Sequence, residues 1–84
     1  MNAFSIDLGQ AQLLASIVEA AIAGKHVRVF GEDGVLASGE ALYIDNFDGP
    51  NVTEQSGLVI GGTGHHRNAT VTVRIADITA LLPA

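Results

Sequence analysis

A glycine in the middle of a strand is the feature that most narrows what this chain can fold into. Residues 35–46 read as one long strand, VLASGEALYIDN, interrupted at Gly39. Glycine inside a strand costs stability and supplies no side chain, so it marks a bulge, a corner or a close backbone approach. Before it lies a short alternating run, residues 26–30, with Val27 and Val29 on one face. Gly31-Glu32-Asp33-Gly34 joins the two, and Asp-Gly is a strong signal for a tight hairpin, which makes Gly34 as fold-determining as Gly39. Three further runs read as strands: the wholly apolar residues 58–60, residues 69–75 with Val71, Val73 and Ile75 on one face, and residues 78–82, ended by Pro83. Five short antiparallel strands with one sharp interior bend imply a small closed barrel, since closure removes exposed edges. Gly39 is then the corner at which one long strand belongs to both halves.

Ahead of the strands, residues 7–23 have helical periodicity. Leu14, Ile17, Val18, Ala21 and Ile22 follow the spacing of one apolar face. Asp7 suits an N-cap, with Gln10 completing a capping box. Gly24 followed by Lys25 is an ordinary stop. The expectation is therefore a single domain over residues 1–84, with a helix at about 7–23 and a barrel at about 26–82.

An 84-residue chain has a thin stability margin and tends to need a staple or a partner subunit. It has no cysteine, so disulfides and thiolate metal sites are excluded. Hydrophobic residues make up 48% and charged ones only 15%, which argues for a buried interface between copies. The net charge of −5 repels phosphate backbones, and only Lys25, Arg28, Arg67 and Arg74 could oppose it. No apolar run reaches the length of a membrane span and no basic-then-apolar leader is present, so the expected setting is cytoplasmic, away from membranes.

The stretch from Gly24 to Asp45 resembles the first signature of the Sm and Sm-like family. The resemblance rests on Gly24-Lys25, Val27, Val29, Asp33-Gly34, Gly39, Leu42 and Asp45 with their spacings, on GLVI at residues 57–60, and on VRIADI at residues 73–78. It implies a mainly β fold, an N-terminal helix on a strongly bent, five-stranded antiparallel Sm-like (SH3-like) small barrel. In RNA-binding members of that family, loop residues after the second strand and an Arg hold a base. Asp45 and Arg74 stand in two of those places. Phe47, off the matching position, offers a stacking face. Gly57 stands where an Asn belongs, and Ile75 follows Arg74 where the family has Gly.

Asp45 and Arg74 read first as an ion pair tying neighbouring loops together, because structural pairs outnumber sites. GGTGHHRN, residues 61–68, lacks the Gly-Lys-Ser/Thr ending of a phosphate loop, and adjacent His65 and His66 point to opposite faces of an extended segment, so it reads as a hairpin tip. DNFDGPN, residues 45–51, places Ile44 and Gln55 where a calcium loop needs its first and last ligands, and reads as a polar turn. Asn51-Val52-Thr53 and Asn68-Ala69-Thr70 match the glycosylation sequon by coincidence. No nucleophile elbow or paired-carboxylate spacing is present. The expected function is a non-catalytic assembly module without cofactor or metal. It would form a ring-like homo-oligomer through short edge strands at residues 58–60 and 78–82. RNA or single-stranded nucleic-acid binding is the alternative.

Overall fold

A computed structural model describes residues 8–47, 49–62 and 69–84. The elements are α1 (Leu8–Ala23), β1 (His26–Gly31), β2 (Gly34–Asp45), β3 (Gly57–Gly61), β4 (Thr70–Arg74), a 3-10 turn (Ile75–Asp77) and β5 (Ala80–Pro83). The chain is mainly β: one helix precedes one antiparallel five-stranded sheet of order β4-β3-β2-β1-β5.

The end of α1 follows from its sequence. Gly24 takes φ +65°, and the Lys25 N–H reaches back to the Ala20 carbonyl at 3.0 Å. That is the six-to-one bond of a Schellman cap. The expected cap residue Asp7 lies outside the described residues. The buried side of α1 is rotated from the expected stripe. Ile17 and Ala20 are fully buried, with Leu13, Leu14 and Ala21 beside them, whereas Ile22 is 82% exposed. Periodicity located an apolar helix, but the sheet covers only part of its apolar arc.

In β2 the pairing partner changes beside Gly39. Residues up to Glu40 pair with β1, and residues from Glu40 onward pair with β3. The partner changes next to Gly39, whose φ is +156°. A Cβ there would lie 1.9 Å from the Gly61 carbonyl oxygen, so only glycine allows β3 to approach. The register against β1 slips at Leu36 and that against β3 slips at Leu42, giving β2 two bulges as well. The Gly31–Gly34 hairpin forms where expected, with Glu32 and Asp33 at its tip.

Closure is where the structure departs from expectation. The sheet is open: among the described residues β4 is hydrogen-bonded only to β3, and β5 only to β1. The expected edge at residues 58–60 is also corrected. β3 is interior, between β2 and β4, and buried along its whole length. A wholly apolar strand is covered on both faces, which is the opposite of an edge. The true edges are β4 and β5. Ile75, read as the last residue of a strand, begins the 3-10 turn instead, and its N–H bonds to the Ser56 carbonyl at 2.8 Å.

The core joins α1 to the inner face of the sheet through Ile17, Val27, Val29, Leu58, Ile60 and Val73, closed off by Ile75 and Ile78. No helix among the described residues is long and apolar enough to cross a membrane.

A candidate site on the outer face of the sheet

The register brings the sequence-predicted residues together around one glycine. Gly57 pairs with Asp45 on β2 and with Arg74 on β4. The three occupy one rung across three strands, with Gly57 in the centre. A Cβ on Gly57 would meet Thr72 Cγ2 at 2.6 Å and the Phe47 ring at 2.9 Å. The missing side chain therefore leaves the space in which the Phe47 ring lies. The Arg74 guanidinium carbon stands 5.6 Å from the centre of that ring, within cation–π range.

The expected Asp45–Arg74 ion pair does not form. Two strand spacings separate their backbones, roughly 10 Å. Arg74 instead donates from Nη1 to Gln55 Oε1 at 3.0 Å. Among the described residues the salt bridge is Lys25–Glu19, at 2.8 Å on the surface. Lys25 holds the Glu19 carboxyl below its ordinary value, first by the hydrogen bond and then by its charge.

A polar lock beneath the loop sets Phe47 in place. The Ser56 hydroxyl is fully buried; it accepts from the Thr53 N–H at 3.0 Å and donates to Asn46 Oδ1 at 3.1 Å. Asn46 Nδ2 in turn donates to the Pro50 carbonyl at 3.2 Å. The Ala76 N–H bonds to the Glu54 carbonyl at 2.7 Å, so the loop is tied to the chain just beyond Arg74. A buried hydroxyl with a donor and an acceptor satisfied is a rigid anchor.

One rung further along the same face, Val59 pairs with Tyr43 and with Thr72. Val59 is buried although it points away from the core, and Tyr43 is more than half exposed above it. The site is thus a shallow ledge: Phe47 and Tyr43 supply apolar faces, Arg74 a cation and Asp45 an anion. Sequence reasoning missed Tyr43, Gln55 and the Asn46–Ser56 lock. Tyr43 was readable, since it lies two residues before Asp45 and so on the same strand face. The lock was not, because it joins residues ten apart through a loop of irregular path.

An open groove at the seam between β4 and the β1–β2 hairpin is lined by Glu32, Asp33, Arg74, Asp77 and Thr79. Among the described residues no group of three His, Cys, Asp or Glu side chains could hold a metal ion. His65, His66 and Arg67 lie outside the described residues. The ledge offers stacking and charge contacts but no nucleophile paired with a base. Comparison with protein-family models, with curated proteins and with solved structures finds no match.

Proposed function

We propose that the chain is a non-catalytic assembly module: an Sm-like bent sheet that joins copies of itself, edge to edge, into a ring-like homo-oligomer. The observation that carries this reading is the state of the two outer strands. The Gly62 N–H bonds to the Ala69 carbonyl and the Ile75 N–H to the Ser56 carbonyl, which sets the alternation along β4. Val71 and Val73 then bond to β3, while the N–H and C=O groups of Thr70, Thr72 and Arg74 point outward. On β5 the bond from the Ala84 N–H to the His26 carbonyl sets the same alternation, and Leu81 and Pro83 point outward. Pro83 has no N–H to leave unpaired there. Val71 lies on the core side of β4 yet remains 52% exposed, for want of a neighbouring strand.

An unpaired edge is a template for another strand. Two different edges, β4 of one copy against β5 of the next, make a head-to-tail contact, which closes into a ring when the rotation permits. The test is particle mass by light scattering across protein concentration. Wild type is expected to run as a multimer. Thr72→Pro removes an outward N–H, leaves the β3 ladder intact, and is expected to lower the mass. A monomeric wild type at working concentration overturns the reading.

The second reading, single-stranded nucleic-acid binding, draws support from the convergence of Asp45, Phe47 and Arg74 on Gly57. Stacking on Phe47 beside a guanidinium is the chemistry such a ligand uses. Against it stands the net charge of −5. Titration with uridine- or adenine-rich oligonucleotides at low salt decides. Binding that Phe47→Ala abolishes would establish it, and absence of binding would end it.

A further inference from the structure

The open groove beside β4 is lined in part by backbone. Thr72 and Arg74 both border it, and their outward N–H and C=O groups have no partner strand. Across the seam the lining is acidic: Glu32 and Asp33 come from the hairpin and Asp77 from the 3-10 turn. Leu36, 42% exposed, and Val73 add apolar surface. Among the described residues the three carboxylates make no hydrogen bond or ion pair. The cation in the lining, Arg74, is engaged elsewhere, with Gln55 and the Phe47 ring. An unpaired strand edge therefore runs beside net negative charge.

We infer that this groove takes an extended segment of another protein, added to β4 as a further strand, with Lys or Arg at alternate positions facing Glu32, Asp33 and Asp77. Each property of the occupant answers to one feature of the groove. Strand addition satisfies the outward groups of Thr70, Thr72 and Arg74, and such main-chain bonds supply the affinity. Successive side chains of the added strand fall on opposite faces. Val73, on the core side of β4, borders the groove, so one row of the added side chains enters it and meets the carboxylates and Leu36. Cations flanking an apolar residue suit that row. The other row lies beside Thr70, Thr72 and Arg74, where threonines pair well and further cations do not. A metal ion does not fit, since among the described residues no group of three His, Cys, Asp or Glu side chains could hold one. A nucleic acid would bring phosphates to carboxylates. A second copy does not match either. Its Lys and Arg are Lys25, Arg28, Arg67 and Arg74, no two of them two residues apart, and β5 carries no charge. Pairing of β4 with β5 of another copy would satisfy the backbone and leave the carboxylates unmet, so a basic strand competes with β5 for this edge. The inference uses the same edge as the assembly proposed above but does not need copies to associate.

The probe is a fluorescently labelled peptide, Lys-Thr-Val-Thr-Lys-Thr-Lys, titrated with the full-length protein at low salt and followed by anisotropy. It is expected to bind, and to slow amide hydrogen exchange at Thr70, Thr72 and Arg74. The same peptide with Glu in place of Lys is expected not to bind. A version methylated on consecutive backbone nitrogens keeps its charge but cannot form the ladder, and is expected to bind about tenfold more weakly or worse. The combined variant Glu32→Gln, Asp33→Asn, Asp77→Asn changes only exposed side chains. It is expected to keep its unfolding midpoint within error and to lose at least about threefold in affinity, the sum of three exposed ion pairs. No binding of the Lys peptide, equal binding of either control peptide, or unchanged affinity in the variant would each overturn the inference, and the two control peptides decide it on wild type alone. Light scattering on the same samples separates it from the assembly reading. A multimer that loses mass as the peptide binds supports both, a monomer that binds the peptide sinks only the assembly, and a multimer that takes up no peptide sinks only this inference.

Discussion

Replacing Gly39 by alanine tests the physical basis of the fold. The new Cβ would lie 1.9 Å from the Gly61 carbonyl oxygen, where real Cβ atoms stay beyond 3.0 Å, so β3 must retreat by 1.1 Å or more. The obstacle is backbone and has no rotamer to give. Glu40 and Gly61 are paired across this point. Losing two hydrogen bonds there costs about 1 kcal/mol each. A non-glycine residue at φ +156° adds about 1–3 kcal/mol of backbone strain. The total is about 3–5 kcal/mol, against a stability of about 4–13 kcal/mol expected for a chain of this length. Gly34 is the matched control. Its φ of +123° is also unfavourable for alanine, but nothing lies within 4 Å of a Cβ there. It should lose only the strain, about 1–3 kcal/mol. With a urea slope of about 1 kcal/mol per molar, the midpoint falls by about 3–5 M for Gly39→Ala and by about 1–3 M for Gly34→Ala. Both unfolding curves must be run at one protein concentration, since the proposed self-association would add to apparent stability. Equal midpoints for the two variants would refute the close approach of β2 and β3 as the reason for Gly39.

Gly57→Ala should behave differently, because the obstacles are the ends of the Thr72 and Phe47 side chains. It is expected to push Phe47 off Arg74 at a cost of about 1–3 kcal/mol, read as loss of ring-current shifts on the Arg74 side-chain protons. Ser56→Ala leaves the Thr53 N–H without its side-chain acceptor and should cost about 1–3 kcal/mol by urea unfolding. Lys25→Gln should raise the Glu19 pKa back toward its ordinary 4.5, followed by NMR titration. The folded value is depressed, so the pair's stabilisation is present above the unfolded value and lost as pH falls through the folded one. The variant should therefore lack that part of the acid sensitivity.

Local chemistry was legible in the sequence wherever neighbours along the chain decide it. Gly24 could end a helix because the left-handed residue and the bond it permits lie within one turn. Gly31 to Gly34 could be read as a hairpin for the same reason, and Gly39 as a corner because a missing side chain inside a strand has few other uses. Asp45 and Arg74 could be singled out together from a family resemblance. Contact between them was a different matter, since it depends on the rung that Gly57 occupies between them.

The sequence by itself therefore determined the main elements, their order and the glycine beside which β2 changes partner, all of which rest on backbone preferences and periodicity over a few residues. Tertiary structure alone decided which strands are edges, which half of the α1 apolar arc is covered, and that Arg74 turns to Gln55 and Phe47 rather than to Asp45. Each of these is a competition for the same space between residues far apart in the chain. Register and packing settle it, and no local pattern encodes the winner.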